Sequence, residues 1–273
     1  MMILTKKTYR KGLRVEDIFA DDFEVRILEI EKKISDIVIK SWDLGDTSQT
    51  WMKKHIKFLK GVKFLKKNIQ IVENNQVRKW ASKGATVLAE GAQGTMLDIE
   101  HGSFPFVTSS STVSSGATTG LAMPPQSINR VFGVFKAYLT RVGNGDMATE
   151  LFDETGEHLA KVGNEFGATT GRPRRCGWLN LDELKEAVEI NGVTDLIMTK
   201  GDVMCGMKNV KILWENEYHT LDGWDSMAVA EIFPLQFSDA NLNAYIKFIE
   251  RRLEMRISIV STSPQRNDVT ELV

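Results

Sequence analysis

Cysteine is almost missing from this sequence, with Cys176 and Cys205 its only two. Two thiols cannot make a disulfide framework, and neither has a neighbour at metal-ligand spacing, so a stapled secreted scaffold and a zinc module are both excluded. A reducing cytosol fits this usage. Net charge is nearly missing too: 35 basic and 36 acidic residues leave −1, which removes the global basic footprint of a nucleic-acid binder. No apolar run reaches membrane-spanning length, and Met1-Met2-Ile3-Leu4 is followed at once by Thr5-Lys6-Lys7, which is no signal peptide. The motifs H-E-x-x-H, C-x-x-C and G-x-S-x-G do not occur, so zinc hydrolase, thioredoxin-like and serine-hydrolase chemistry lack support. Gly201 and Gly206 have the spacing of a phosphate loop, but Met207 stands where its lysine is required.

What is present is a chain of 273 residues, 42% hydrophobic and 26% charged, enough for one large domain or two small ones. Phe23, Ile27, Ile30, Ile34, Ile37 and Val38 recur at helical spacing behind Asp21 and Asp22, which favour a helix start. A turn at Gly45-Asp46-Thr47-Ser48 leads to a second helix marked by Phe58, Val62, Leu65 and Ile69. Its other face carries Lys53, Lys54, Lys57, Lys60, Lys63, Lys66 and Lys67, read as a solvated stripe. A short third helix runs through 77–82. After Gly84 the period changes, and Ala85–Ala89 reads as a short apolar strand delivering the polar loop Glu90-Gly91-Ala92-Gln93-Gly94-Thr95. Such a loop is where an open α/β sheet places ligand groups.

The centre of the sequence is Gly163-Asn164-Glu165-Phe166-Gly167-Ala168-Thr169-Thr170-Gly171-Arg172-Pro173-Arg174-Arg175. Three glycines let the backbone bend around a ligand, the threonines offer hydroxyls, and three arginines offer guanidinium forks matched to carboxylates and phosphates. Downstream, Asn180 and Glu183 form a capping-box-like start for a helix that Gly192 ends. Leu196-Ile197-Met198 is a buried strand delivering Thr199-Lys200-Gly201-Asp202, where a carboxylate can accept two donors from guanine and the lysine stem can cover the ring. Val210–Trp214 reads as a strand, Leu242–Leu253 as a helix begun near Asp239, and Arg256–Val260 as a last strand running into Ser261-Thr262-Ser263-Pro264.

The stretches 163–179, 90–110 (EGAQGTMLDIEHGSFPFVTSS) and 149–157 (TELFDETGE) together resemble the adenylosuccinate synthetase family, and the resemblance runs from about Arg10 to about Arg266. It implies an α/β fold, a central mostly parallel sheet flanked by helices, with a helical segment over 1–83 and a nucleotide- and aspartate-binding region over 84–273. It further implies GTP-dependent ligation of L-aspartate to IMP, with Mg²⁺ accompanying GTP, in a cytoplasmic homodimer. Members of the family begin earlier, with a phosphate loop and segments carrying a catalytic Asp and His. The base, the acid and the protein ligands of the metal are therefore expected outside this sequence.

Residue by residue, the resemblance assigns Arg10, Gln93, Thr108, Val142 and Arg172 to IMP, Arg10 acting across the dimer. Thr169, Thr170 and Arg172 fall to aspartate, and Arg174, Lys200, Asp202, Ser261 and Ser263 to GTP. Gly143 lies beside Val142 against the ribose, while Asp146-Met147 departs from the family pattern. Gly201 replaces a bulkier residue, which would loosen the floor of the base pocket. Ser263 stands where the family has glycine, which would tighten that turn. Other readings stay open for Thr108, as a helix cap in the Thr/Ser-rich 108–119, and for Arg10, as a solvated arginine near a frayed terminus. For the whole chain the alternatives are an active-site part working with a separate chain, or a non-catalytic remnant that binds nucleotide or a partner.

Overall fold

The computed structural model describes residues 13–30, 32, 48–167, 171–230 and 236–272, and for 48–54 the backbone only. Arg10, Thr169, Thr170 and the distal part of the first predicted helix, with Ile34, Ile37 and Val38, lie outside the described residues. The chain divides into two units, Met1–Gln76 and Val77–Val273. In the first, a 3₁₀ turn over Val15–Phe19 precedes helical residues 23–30. Arg26 donates to Asp22 one turn earlier (2.8 Å) and to Asp17 (3.0 Å), fixing that junction. Helix α1 (Ser48–Asn68) starts ten residues ahead of Phe58, where the apolar pattern begins. Ile18, Phe23, Ile27 and Val62 form a small buried cluster, while Phe58, Leu65 and Ile69 of the same stripe stay exposed. The described lysines of α1 are exposed, as a solvated stripe requires.

Helix α2 (Gln76–Ala81) straddles the boundary, and the larger unit follows with α3 (Ser115–Leu121), α4 (Glu154–Val162), α5 (Leu181–Asn191) and α6 (Ala240–Leu253). Its strands are β1 (Phe132–Lys136), β2 (Leu139–Arg141), β3 (Arg175–Gly177), β4 (Leu179–Asn180), β5 (Asp195–Thr199), β6 (Asn209–Trp214), β7 (Glu217–Asp222), β8 (Val229–Ala230), β9 (Gln236–Phe237), β10 (Ile257–Ser261) and β11 (Val269–Glu271). The main sheet has the order β1-β5-β10-β11, with β1, β5 and β10 parallel and β11 antiparallel. Leu196, Met198, Ile257 and Val260 are at most 1% exposed, so the middle strands are covered on the faces these residues occupy. Helix α5 packs on β1 and β6, and α6 on β7 and β9. The cap at Asn180 is as predicted, with its Oδ1 accepting from Glu183 N (3.3 Å) and its Nδ2 reaching Glu183 Oε1 (2.9 Å). The α/β class with a mostly parallel sheet holds.

One strand assignment does not. Ala85–Ala89 forms no strand and joins no sheet among the described residues, and Leu88 is 85% exposed. Apolar composition suggested a strand there, but a strand needs ladder partners and a covered face, and none of the described residues supplies them. No helix of the described residues is long and apolar enough to cross a membrane.

Candidate functional site at the carboxyl ends of the parallel strands

Parallel pairing of β1 and β5 puts Lys136 opposite Thr199, and β10 ends beside them at Ser261. The groups delivered at this edge are therefore Lys136, the loop from Lys200 to Asp202, and the turn Ser261–Ser263. Lys200 holds a left-handed backbone (φ 65°), and its Nζ donates to the Gly163 carbonyl at 2.9 Å, joining the strand-end loop to the anion loop. Trp224 Nε1 donates to the Gly201 carbonyl at 3.1 Å from a buried position. A Cβ on Gly201 would lie 2.9 Å from Met227 Cε, so Met227 occupies the room a larger residue would take. Asp202 makes no side-chain hydrogen bond among the described residues.

The anion loop is a hairpin-like excursion after α4. Its stem is paired, with Arg174 N donating to Glu165 O (2.9 Å) and Gly167 N to Arg172 O (2.8 Å). Gly163 has ordinary helical φ of −71°, so it is needed for closeness and not for bending: a Cβ there would strike the Tyr138 hydroxyl and the Leu159 carbonyl. Inside the stem, the Glu165 carboxylate is wholly buried and accepts from Lys136 Nζ (2.8 Å to each oxygen), Tyr138 Oη (2.6 Å) and Arg174 Nη1 (2.7 Å). Burial pushes Glu165 towards the neutral acid, yet these three donors hold it below the usual carboxylate range. Burial and the nearby charges of Arg174 and Lys200 lower the Lys136 ammonium, against the pull of Glu165. The buried Cys176 thiol is pushed up to about 11 by burial and by Glu165, so it is no ready nucleophile.

The three arginines of this loop have separate fates. Arg175 is bidentate to Glu150, with Nε to Oε1 at 2.7 Å and Nη2 to Oε2, and its Nη1 reaches the carbonyls of Gly143 (3.2 Å) and Gly145 (2.7 Å). It is therefore a strut and not an anion ligand. Arg174 spends one nitrogen on Glu165, and Arg172 is exposed without a side-chain partner among the described residues. At the last turn, Ser263 Oγ donates to Asp268 (2.5 Å) and accepts from Gln265 N (3.0 Å), while Ser261 Oγ donates to Ser263 O (3.0 Å). Ser263 has no positive φ, so a side chain fits there without strain and its hydroxyl tightens the turn.

A second assembly holds two further assigned residues. Thr108 and Val142 line one open cavity of about 330 Å³ with Leu97, Phe106, Val107 and Asn144. Arg141 closes this grouping by donating to Ser103 Oγ (2.8 Å) and Phe106 O (3.2 Å) across from the turn it precedes. Thr108 caps no helix; α3 begins after Ser114, and Thr108 N donates to Leu97 O. Gln93 is exposed with a left-handed φ of 68°. Its loop is fixed by Thr112 Oγ1 donating to Gly94 O (2.7 Å) and by Asp98, 1% exposed, which accepts backbone N–H groups from Glu100, His101, Thr112 and Val113. Asn191, at the end of α5, accepts from Ser114 N (2.8 Å) and donates to Thr95 Oγ1 (2.9 Å) and Ala187 O (2.7 Å).

The profile of the family described as adenylosuccinate synthetase matches residues 2–216. The chain belongs to the adenylosuccinate synthetase family. An adenylosuccinate synthetase of Christiangramia forsetii is 42% identical over 95% of this chain, and that of Bacteroides thetaiotaomicron 41% identical over 98%. In both cases the chain spans 66% of the relative's length. Among solved structures, fully ligated adenylosuccinate synthetase from Plasmodium falciparum superposes with a TM-score of 0.84 at 27% identity, covering 98% of this chain and 68% of that one. The succinoaminodeoxyadenylate synthetase of cyanophage S-2L, bound to dGMP and dATP, shares the fold at a TM-score of 0.51 and 18% identity, covering 76% of this chain and 52% of that one.

Sequence reading missed Lys136, Tyr138, Arg141, Asp98 and Asn191 in this synthetase-family scaffold. Lys136 left a signal, since a lysine inside the apolar run Val131–Tyr138 needs a buried partner. Asn191→Ala should cost about 1–2 kcal/mol by orphaning the Ser114 amide. Amide exchange should quicken at 94–97 and 112–115 and stay unchanged in β5; uniform quickening would mean Asn191 serves α5 alone.

Proposed function

We propose that the chain forms the nucleotide- and aspartate-holding part of a ligase that joins L-aspartate to IMP, coupled to GTP hydrolysis. The supporting observation is one placement: Lys200, Asp202, Ser261, Ser263 and, through Glu165, Arg174 gather where the parallel strands end. Ligands of open α/β sheets lie outside such ends. In this reading Gln93, Thr108, Val142 and Arg172 hold IMP, with Arg10 reaching its phosphate from the second subunit of a homodimer. Thr169, Thr170 and Arg172 hold the aspartate carboxylates, Arg174 meets the triphosphate, and Lys200, Asp202, Ser261 and Ser263 enclose guanine.

The reaction follows from leaving-group chemistry. Phosphoryl transfer from GTP to the purine 6-oxygen converts a poor leaving group into phosphate, which the aspartate amine then displaces. The general base and acid and the phosphate loop would come from polypeptide beyond this sequence, joined to it or separate. Mg²⁺ would arrive with GTP; among the described residues no three His, Cys, Asp or Glu side chains converge on one point, so no metal ligand is assigned. A cytoplasmic setting belongs to the same reading.

Asp202→Asn tests the nucleotide choice. The carboxylate accepts two N–H groups from guanine, whereas an amide sets its own N–H₂ against the guanine 2-amino group. GTP binding should weaken about ten- to a hundredfold and XTP binding should improve, by calorimetry. Unchanged GTP affinity, or a wild type that prefers ATP, would sink the guanine assignment.

A further inference from the structure

Glu165 stands out because no ligand can reach it. Its side chain is 0% exposed, and its oxygens are taken up by one lysine, one tyrosine and one arginine. A buried carboxylate between two cations is costly to build unless its geometry serves something. Lys136 is fully committed, with donors to Thr140 Oγ1 (2.9 Å) and to both Glu165 oxygens. Arg174 is not, since Glu165 engages Nη1 alone and the side chain stays 30% exposed. A guanidinium gripped at one nitrogen keeps its other N–H groups for a second partner in a fixed plane.

Resting on the nucleotide reading above, we propose that Glu165 is the positioning residue for Arg174, fixing its guanidinium so that the free N–H groups face the nucleotide phosphates. Lys136 and Tyr138 are the fixed side of this clamp. Lys136 supplies the counter-charge, and Tyr138, 1% exposed, sets the carboxylate plane through a 2.6 Å bond. The backbone pair between Arg174 N and Glu165 O (2.9 Å) fixes the same two residues a second time. The clamp also explains why Gly163 is a glycine, since any side chain there would displace the Tyr138 hydroxyl.

The test is a double-mutant cycle on the full chain, read by calorimetry with GTP and with guanosine, which lacks phosphates. Glu165→Gln should weaken GTP about ten- to a hundredfold, with guanosine unchanged. Tyr138→Phe, which removes one buried oxygen and alters no charge, should weaken GTP several-fold in the same selective way. Neither change should weaken GTP further in an Arg174→Met background, because both act through Arg174. If Glu165→Gln fails to fold, Tyr138→Phe in the two backgrounds decides. Losses that extend equally to guanosine, that add in full to Arg174→Met, or that do not occur would overturn the clamp while leaving GTP binding in place. A wild type that binds guanosine and GTP equally, or neither, would instead overturn the triphosphate reading and the clamp with it.

Discussion

Asp98→Asn is expected to unravel the loop that carries Gln93 and Thr108, lowering stability by about 2–4 kcal/mol. The carboxylate is 1% exposed, with Oδ1 accepting from Glu100 N (2.9 Å) and His101 N (3.1 Å) and Oδ2 from Thr112 N (2.6 Å) and Val113 N (3.3 Å). An amide has one acceptor, so its N–H₂ must face a pair of N–H donors. Val113 is buried and cannot recover water, whereas Glu100 and His101 are exposed and can, which keeps the loss below the sum of all the bonds. The same geometry sets a pH dependence. Burial pushes the Asp98 acid up, but the backbone donors outweigh it and hold it well below the ordinary carboxylate range. A group depressed in the folded state stabilises fully above its unfolded value, about pH 4, and loses that contribution as pH falls further. Thermal melts should therefore fall more steeply below pH 4 for the wild type than for Asp98→Asn. Parallel pH profiles would show that these bonds contribute little.

Trp224→Ala should be the more damaging change, at about 3–5 kcal/mol, since it empties a large buried site. The indole is 1% exposed and lies tilted against Tyr245 with centroids 5.0 Å apart. Trp224→Phe separates packing from hydrogen bonding. It keeps most of the buried area but leaves the Gly201 carbonyl without the indole N–H, at about 0.5–1.5 kcal/mol. Because Gly201 sits between Lys200 and Asp202, the proposed guanine site predicts that the Phe variant also binds GTP more weakly, although residue 224 is not assigned to the ligand. Urea unfolding and GTP calorimetry on the two variants check both parts. A Phe variant that binds GTP as tightly as the wild type would show that the loop is seated by packing alone.

The elements that were legible in the sequence are those whose signals are local, while short strands such as β2, β3, β8, β9 and β11 were not read. Asn180 with Glu183, Asp239, and the apolar runs of β5 and β10 each announce an element within a few residues. What failed to show was pairing over distance. Ala85–Ala89 has strand composition but no partner among the described residues, and composition carries no partner information. Arg172, Arg174 and Arg175 look alike in sequence, yet one is exposed, one is half engaged and one is bound to Glu150 across 25 positions. Periodicity could not find Glu165 as a hub, since its partners Lys136 and Tyr138 lie in a strand and turn far upstream.

Local neutralisation has a consequence for how this protein would tell one anion from another. Arg175 is matched by Glu150, while Lys136 and Arg174 share the single charge of Glu165, so two of the positive charges along 136–175 exert little field beyond their own contacts. A surface of unmatched cations attracts any polyanion at long range and loses that pull as ions screen it. At these matched side chains little net charge remains for dissolved ions to screen, and selection there falls to the angles and reach of individual N–H groups. Anions such as inorganic phosphate, which offer charge without the matching outline, would gain little from these matched groups.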